Sequence, residues 1–571
     1  MTPIMRGLLR WAARRPIAFG AVGGLVFSVL MAGAFAPVGL WGLVFVAAAP
    51  LVIVGECVGS LRSSKPLKAS LGAWIGVAPW WAYAMVWTAR NTQAGYPPLI
   101  LVLSFYAALF VWLAARSRRR WSSVPAVVLT PLLWAGVEVV RGEWLLDGYP
   151  WYLVAHPLID APTWVLTWPA AIAGTYVVGV LTMLPVAASI DALAGRRKSA
   201  FMALGVVGLW AGLGAIGVLR PEPDGNVRVA LVQTNVPQDV RGSWSPTDRW
   251  AQWERIEALT LAAETSDPDF IVWPETMFPG VAFQDEAVQA ERDASLAWFI
   301  ESPGGSTPVP AWEVRERVLD LQQRVGVPVV VGAASFEGFA ILEDDRGLRY
   351  DWDVRRNSAF LVNGGTVQPD PYSKLRLVPF GEVMPYISAW PWLEQQLLAI
   401  GASGMSFDLA TGDRPVTLKI PGTNPVEVAT PICFESTVAG VVREVVYGAG
   451  PERADVIVVL TNDGWFGDWD PGRIHHLQAS RWRSVELGVS MARSANTGVS
   501  AIVDAEGSVL HAGVDGQPGS ARIEGVLAGD VPMYRGQTPF GATVGMWPAR
   551  AIGAFAVLAA ILPVRARRKT S

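Results

Sequence analysis

The sequence predicts a two-part protein: a multi-pass α-helical membrane bundle of about eight helices, joined to an extracytoplasmic α/β domain. Three observations predict it. Of the 571 residues, 51% are hydrophobic and 17% charged, whereas soluble chains carry about a quarter of their residues as charges. The apolar residues crowd into positions 1–219 and return near the end. Between them, short apolar runs alternate with stretches of helical spacing, the pattern of a layered α/β domain. The boundaries this implies are 1–220 for a seven-helix membrane domain, 221–535 for the soluble domain, and 536–571 for a final helix with a basic tail.

Candidate spans fall near 17–35, 38–58, 70–88, 97–115, 123–140, 163–190, 200–219 and 544–564. Each holds roughly the 17–25 apolar residues that cross about 30 Å of hydrocarbon, and the sixth is long enough to be tilted or broken. The first follows Arg6, Arg10, Arg14 and Arg15 but runs straight into further apolar segments. It therefore reads as a retained helix, not a cleaved signal. The 27 tryptophans suit membrane interfaces.

Basic residues set the orientation. Alternate loops carry Arg6/Arg10/Arg14/Arg15, Arg62/Lys65/Lys68, Arg116/Arg118/Arg119/Arg120, Arg196/Arg197/Lys198 and Arg565/Arg567/Arg568/Lys569, while the short loops of the other set hold Arg90 and Arg141. The positive-inside rule places both termini in the cytoplasm and the soluble region on the far side of the membrane. A net charge of −3 gives no reason to expect nucleic acid. One outer loop, Gly142–Tyr152, is rich in Trp and Tyr. It reads either as an interfacial aromatic belt or as a lipid-facing rim that includes Trp151.

In the soluble region, strands are expected at Val227–Val236, Phe270–Trp273, Val327–Val331, Ala359–Val362, Val426–Thr430, Val456–Leu460, Ala501–Val503 and Ser508–His511. Helices are expected at Asp248–Glu264 and Trp312–Val325, and Phe283–Ala311 reads as a surface insertion. Catalytic groups in such folds gather beyond strand ends. Glu275, Cys433 and Asn462 all fall there.

Cys433 is the single cysteine of the soluble region. Alone it is better explained by core packing than by chemistry, because free cysteine is among the most buried residue types. Glu275 in Trp273-Pro274-Glu275 and Lys374 in Tyr372-Ser373-Lys374 change the weighing. A carboxylate can take the thiol proton, and an ammonium can stabilise the negative charge that develops on an attacked acyl group. Such a set needs no histidine. Of the four histidines, His475 and His476 are adjacent and converge poorly on a metal, so neither metal nor cofactor is expected. Taken singly, Glu275, Lys374 and Glu382 read equally well as solvated surface groups or caps.

Taken in order, Trp-Pro-Glu, then Ser-Lys with Leu377-Val378-Pro379-Phe380-Gly381-Glu382, then Ile432-Cys433-Phe434-Glu435, resemble the nitrilase, or carbon–nitrogen hydrolase, superfamily. The resemblance implies an α-β-β-α sandwich for 227–530, with Glu275, Lys374 and Cys433 as the catalytic residues. It narrows further. Seven helices, this domain and a last helix are similar to the bacterial apolipoprotein N-acyltransferase family. So are Leu231–Gln238, Thr461–Gly467, Ala495–Ser500 and Gly148-Tyr149-Pro150-Trp151. Three departures stand out: Phe434 occupies the place of a family Tyr, the family Trp after the Pro-Gln motif is displaced with Trp244 nearby, and Phe283–Ala311 is longer than usual.

That resemblance implies transfer of an acyl chain from the sn-1 position of a phospholipid, through a thioester on Cys433, to the N-terminal amine of a diacylglyceryl-cysteine apolipoprotein. It implies Glu382 as a support for Lys374, with Glu435 and Asn462 also supporting. Trp151, Tyr386, Trp465 and Phe434 are the candidates for substrate contact. The apolar residues Val383–Tyr386 and Trp390–Leu393 read either as a lipid-touching rim or as core. Two other readings stay open: a membrane-anchored amidohydrolase using the same three residues, and a non-catalytic membrane binding protein.

Overall fold

The computed structural model describes all residues except 1–2, 62–64, 238–243, 345–346, 385, 387–389, 391, 393–408, 449–452, 515–519 and 564–571. The chain divides into two compact units: Met1–Arg220 with Thr538–Ser571, and Pro221–Gln396 with Ala402–Gln537.

In the first unit, helices form in every window expected of a span. Among the described residues, five are long and apolar enough to cross a membrane: Pro16–Ala34, Trp41–Ser60, Tyr96–Arg120, Thr175–Leu193 and Arg197–Ala215. The other three windows hold Pro66–Ala84, Ala126–Val139 and Trp547–Ile561. Pro66–Ala84 is rich in Trp and Tyr, and Ala126–Val139 passes into a wider turn, Val140–Trp144, that carries Arg141 and Glu143. Trp547–Ile561 is simply short, at 15 residues. The sixth window is broken, because Gly174 takes a φ of +84° between Pro169–Ala173 and Thr175–Thr182.

The bundle packs through small residues. A Cβ placed on Gly20 would lie 2.0 Å from the Ala69 carbonyl oxygen, and one on Gly72 would lie 2.0 Å from that of Ile17. The helices Pro16–Ala34 and Pro66–Ala84 thus meet backbone to backbone, and Ser28 donates to the Gly76 carbonyl at 2.9 Å. Lipid tails are as apolar as leucine, so close packing and such hydrogen bonds must supply the cohesion between spans. Among the described residues, Glu56 and Arg118 form a buried ion pair at 2.9 Å, and buried Asp191 meets the half-buried Arg196 at 2.6 Å.

The second unit is a two-sheet sandwich. One seven-stranded sheet runs Tyr372–Ser373, Val354–Asn363, Val329–Glu337, Phe270–Val272, Gly225–Gln233 and Gly525–Met533, with Thr366–Val367 beside Val354–Asn363. The other has six strands, Thr417–Ile420, Val426–Ala429, Val456–Thr461, Ser490–Ala495, Ala501–Val503 and Val509–Ala512. The sheets face each other: Ser494 on one donates to the carbonyls of Val232 (2.9 Å) and Val272 (3.2 Å) on the other. Helices Pro246–Glu264 and Glu313–Val325 pack Trp253, Ile256, Val314 and Val318 onto the first sheet. Ala439–Gly448 and Asp470–Leu487 cover the second. The layers are therefore α-β-β-α, with nearly continuous Val and Ile along the central strands because both faces are covered.

The central strands of each sheet are parallel: Gly225–Gln233 with Phe270–Val272 and Val329–Glu337 in one, Val426–Ala429 with Val456–Thr461 and Ser490–Ala495 in the other. Their carboxyl ends therefore lie at the same edge of each sheet. Residues 283–311, expected as a surface insertion from their charge and Gly/Ser/Pro content, are mostly exposed but ordered. They form a helix, Asp285–Asp293, and a hairpin, Ala297–Ser302 with Gly305–Pro310. Phe283 and Trp298 anchor them in the main core, which their mostly polar neighbours conceal.

Candidate active site

Each expected reactive group follows a strand. Glu275 comes just after Phe270–Val272, Lys374 after Tyr372–Ser373, Cys433 after Val426–Ala429 and Asn462 after Val456–Thr461. Cys433 opens a short 3₁₀ turn, Cys433–Thr437, and holds a φ of +54°. A non-glycine residue in that region costs of order 1–3 kcal/mol and persists only where its surroundings fix it.

Three chains of contacts hold the group together. Glu275 accepts from the Asn462 N–H (2.7 Å) and from Asn357 Nδ2 (2.7 Å), and lies 3.5 Å from Lys374 Nζ. Lys374 Nζ is 2.9 Å from the Glu382 carboxylate, whose second oxygen accepts the Val378 N–H at 2.9 Å. Glu435 accepts four hydrogen bonds: from the N–H groups of Leu375 (2.6 Å), Arg376 (2.8 Å) and Ile432 (2.7 Å), and from the Tyr372 hydroxyl (2.9 Å). It ties the loop carrying Lys374 to the turn carrying Cys433.

The electrostatics follow from burial and these pairings. Lys374 is fully buried, which alone would favour its neutral form. The Glu382 and Glu275 carboxylates outweigh burial and hold the ammonium well above the ordinary lysine range. Burial, then the Glu275 charge, push the Cys433 thiol up, against the pull of Lys374. Burial and the neighbouring carboxylates thus favour the thiol form of the resting sulfur. Glu435 is pushed up to about 7 by burial, with the Ile432 N–H and the Lys374 charge opposing.

The remaining expected residues divide. Asn462 and Phe434 are buried. Trp465 is half-buried in the turn Asp463–Phe466. Tyr386, Trp390 and Trp392 are 64%, 67% and 72% exposed, so these three are not core residues of the unit. Pro385, Pro391 and Leu393 lie outside the described residues, as does Gln238. Trp151 is buried in the membrane unit, stacked on Tyr149 with ring centres 5.7 Å apart and 6.5 Å from Trp87.

Sequence reasoning missed several members. Asn357 sits in a strand with nothing to mark it. Asp463, His476 and Arg493 form a buried network behind Cys433. Arg493 Nη2 donates to both Asp463 oxygens (3.1 and 2.9 Å), and Asp463 Oδ1 lies 2.8 Å from His476 Nδ1. Burial pushes Asp463 up, but Arg493 and His476 prevail and hold it well below the usual carboxylate range. Asp463 was visible within Thr461–Gly467. The pair His475-His476 drew notice only as an unsuitable metal site, yet His475 faces Gln478 and His476 faces Asp463 and Cys433.

This combination of a two-sheet sandwich and a buried Glu–Lys–Cys group has a counterpart among known families. The carbon–nitrogen hydrolase family matches residues 228–537, and the chain belongs to that family. Residues 27–189 match the apolipoprotein N-acyltransferase N-terminal domain. Along nearly its whole length the chain is similar to curated proteins called apolipoprotein N-acyltransferase. That of Vibrio parahaemolyticus is 26% identical over 95% of this chain and 96% of its own, and that of Pseudomonas aeruginosa 28% identical over 97% and 98%. That of Allorhizobium ampelinum is 28% identical over 86% of each. Among solved structures, an amidase from Nesterenkonia sp. covers 55% of this chain and 93% of its own at 16% identity, with a TM-score of 0.34.

Proposed function

We propose that this chain is an apolipoprotein N-acyltransferase, an enzyme that moves an acyl chain from a phospholipid to the N-terminal amine of a diacylglyceryl-cysteine lipoprotein. The observation that carries the reading is the union of a buried Glu275–Lys374–Cys433 group with an apolar helical bundle, in a chain similar end to end to proteins of that name.

The chemistry proceeds in two halves. As Sγ of Cys433 bonds to the sn-1 ester carbonyl carbon, its proton passes to Glu275. The carbonyl π pair moves onto oxygen, where the Lys374 ammonium and a backbone N–H meet it. Collapse breaks the carbon–oxygen bond to glycerol. The lysophospholipid oxygen takes the proton back from Glu275, and a thioester remains. The lipoprotein amine then attacks the thioester carbon, Glu275 takes a proton from nitrogen, and the sulfur leaves and is reprotonated. Acid and base are one residue, which suits a carboxylate held by two neutral donors beside an ammonium.

Glu382 keeps Lys374 charged in a site that would otherwise favour the neutral amine. Glu435 and Asn462 position Cys433 and Glu275. Tyr386, Trp390 and Trp392 are offered as lipid contacts, and so are Trp465 and Phe434. Trp151 would act from within the bundle. Each methylene moved into water costs about 0.8 kcal/mol, so a donor with whole acyl chains is best met at the bilayer, which gives a reason for a multi-helix bundle on a hydrolase-like domain. In this reading both termini are cytoplasmic and the catalytic domain, 221–535, is periplasmic. It lies between a seven-helix membrane domain, 1–220, and the final helix with its basic tail, 536–571.

The test is direct. Cys433→Ala should remove all acyl transfer to a diacylglyceryl-cysteine peptide while leaving the purified protein folded. Substantial transfer by Cys433→Ala would eliminate the mechanism.

A further inference from the structure

Most oxygen-bearing side chains of the reactive group are already engaged. Glu382 gives one oxygen to Lys374 Nζ (2.9 Å) and the other to the Val378 N–H (2.9 Å). Glu435 is filled by the N–H groups of Leu375, Arg376 and Ile432 and by the Tyr372 hydroxyl. Asn462 Oδ1 accepts from the Gly464 N–H (3.1 Å) and from Asn496 Nδ2 (2.9 Å). Asn357 turns its NH₂ to Glu275 at 2.7 Å, and its Oδ1 is enclosed by protein. An ionised carboxylate only accepts, which fixes that amide with its nitrogen toward Glu275. Glu275 itself is less filled: Oε2 takes the Asn462 N–H at 2.7 Å and keeps a second lone pair. Among the described side-chain oxygens of this group, Glu275 is the acceptor left for an incoming nucleophile.

A neutral amine brings two N–H groups, whereas a glycerol hydroxyl brings one O–H. A site prefers the first when a second acceptor waits for it, because the wrong partner then leaves a buried polar group unpaired. Sites built that way discriminate by about 10⁴–10⁵. Here one carboxylate meets either nucleophile, so nitrogen and oxygen are presented to the thioester alike. What separates them is the bond that forms. An amide is more stable than a thioester, so nitrogen is a one-way exit. An ester is what the acyl chain came from, and that route runs both ways.

We propose that this site also catalyses acyl exchange between phospholipids: a lysophospholipid with a free sn-1 hydroxyl takes the acyl chain from the Cys433 thioester and becomes a phospholipid. The inference rests on the acyl-transfer reading and adds a second class of acceptor to it. The hydroxyl gives its proton to Glu275 as its oxygen bonds to the thioester carbon. The carbonyl π pair moves onto oxygen beside the Lys374 ammonium. Collapse breaks the carbon–sulfur bond, and the sulfur takes the proton from Glu275 and returns to the thiol. One ester is lost and one is gained, so the exchange needs no other reactant.

The experiment incubates the full chain in detergent with a phosphatidylethanolamine carrying an isotope-labelled sn-1 acyl chain. The acceptor is a lysophosphatidylethanolamine whose sn-2 chain is ether-linked and of a different length. The shared head group removes head-group preference from the comparison, and the ether cannot migrate to the free hydroxyl. Mass spectrometry should find the label in the ether-linked phospholipid, spreading until it follows the amounts of the two glycerol backbones supplied. Cys433→Ala should abolish the transfer, and Glu275→Gln serves the same purpose if Cys433→Ala fails to fold. A parallel reaction replaces the lysophospholipid with a diacylglyceryl-cysteine peptide. Labelled amide in that reaction, with no labelled ether-linked phospholipid in the first, would overturn the inference alone. The absence of both products would overturn the acyl-transfer reading and this inference with it. Exchange that persists in folded Cys433→Ala would also overturn the inference, since the chain would not be passing through the thioester.

Discussion

At the scale of the residue, reactivity here comes from counteracting burial. Cys433 and Lys374 are both desolvated, and each would by burial alone be neutral. Two carboxylates, Glu382 and Glu275, restore the charge of Lys374 and at the same time make a thiolate beside them unfavourable. These directions favour a resting thiol beside an ammonium, unlike the preformed thiolate–imidazolium pairs of many cysteine enzymes. The expected outcome is that no thiolate absorbance near 240 nm appears at pH 8 when the protein is compared with Cys433→Ser. A full thiolate signal at that pH would mean that Lys374 outweighs burial at the sulfur. The three candidate reactive residues were legible in the sequence because the motifs that carry them follow apolar runs in an order that resembles a known family. Asn357, His476 and Arg493 were not, because their value arises from contacts made across the fold. Asn357 reaches Glu275 from 82 positions away, and His476 reaches Cys433 from 43.

At the scale of the element, parallel strands do the positioning, and Glu435 joins what they deliver. Strand existence was readable from Val- and Ile-rich runs, while edge strands such as Thr417–Ile420 and Gly525–Met533 gave no comparable signal. The helix expected at Asp248–Glu264 begins two residues earlier, at Pro246, where Ser245 and Asp248 cap each other's backbone. In the membrane unit, windows of hydropathy located the helices, and the length of the sixth window pointed to its break at Gly174, but the wide turns at Val140–Trp144 and Phe540–Val544, which act through backbone geometry, gave no such signal. All four partners of Glu435 are donors, so the ionised carboxylate is satisfied and a neutral amide would set its NH₂ against them. Glu435→Gln is expected to lower unfolding free energy by about 1.5–3 kcal/mol, read from thermal or denaturant unfolding. It should also slow acylation, because it releases the Lys374 loop from the Cys433 turn. An unchanged melting curve would remove Glu435 from this role.

At the scale of the whole molecule, the account joins an α-β-β-α enzyme of the carbon–nitrogen hydrolase family to a helical membrane bundle. The division of the chain was plain from composition, since charge and apolar residues separate along it. The orientation follows from basic loops and is open to test. Protease added outside spheroplasts should cleave within the 227–530 region, and full protection there would reverse the proposed topology. The central claim is that Cys433 carries the acyl chain between two lipid substrates. It is tested most directly by intact-protein mass spectrometry of the purified chain incubated with phospholipid and no lipoprotein acceptor. The account predicts a mass gain of one acyl chain, mapped to Cys433 and discharged by a diacylglyceryl-cysteine peptide faster than by water. Discharge by water at the same rate would make the protein a hydrolase. An unmodified Cys433 would contradict the thioester altogether.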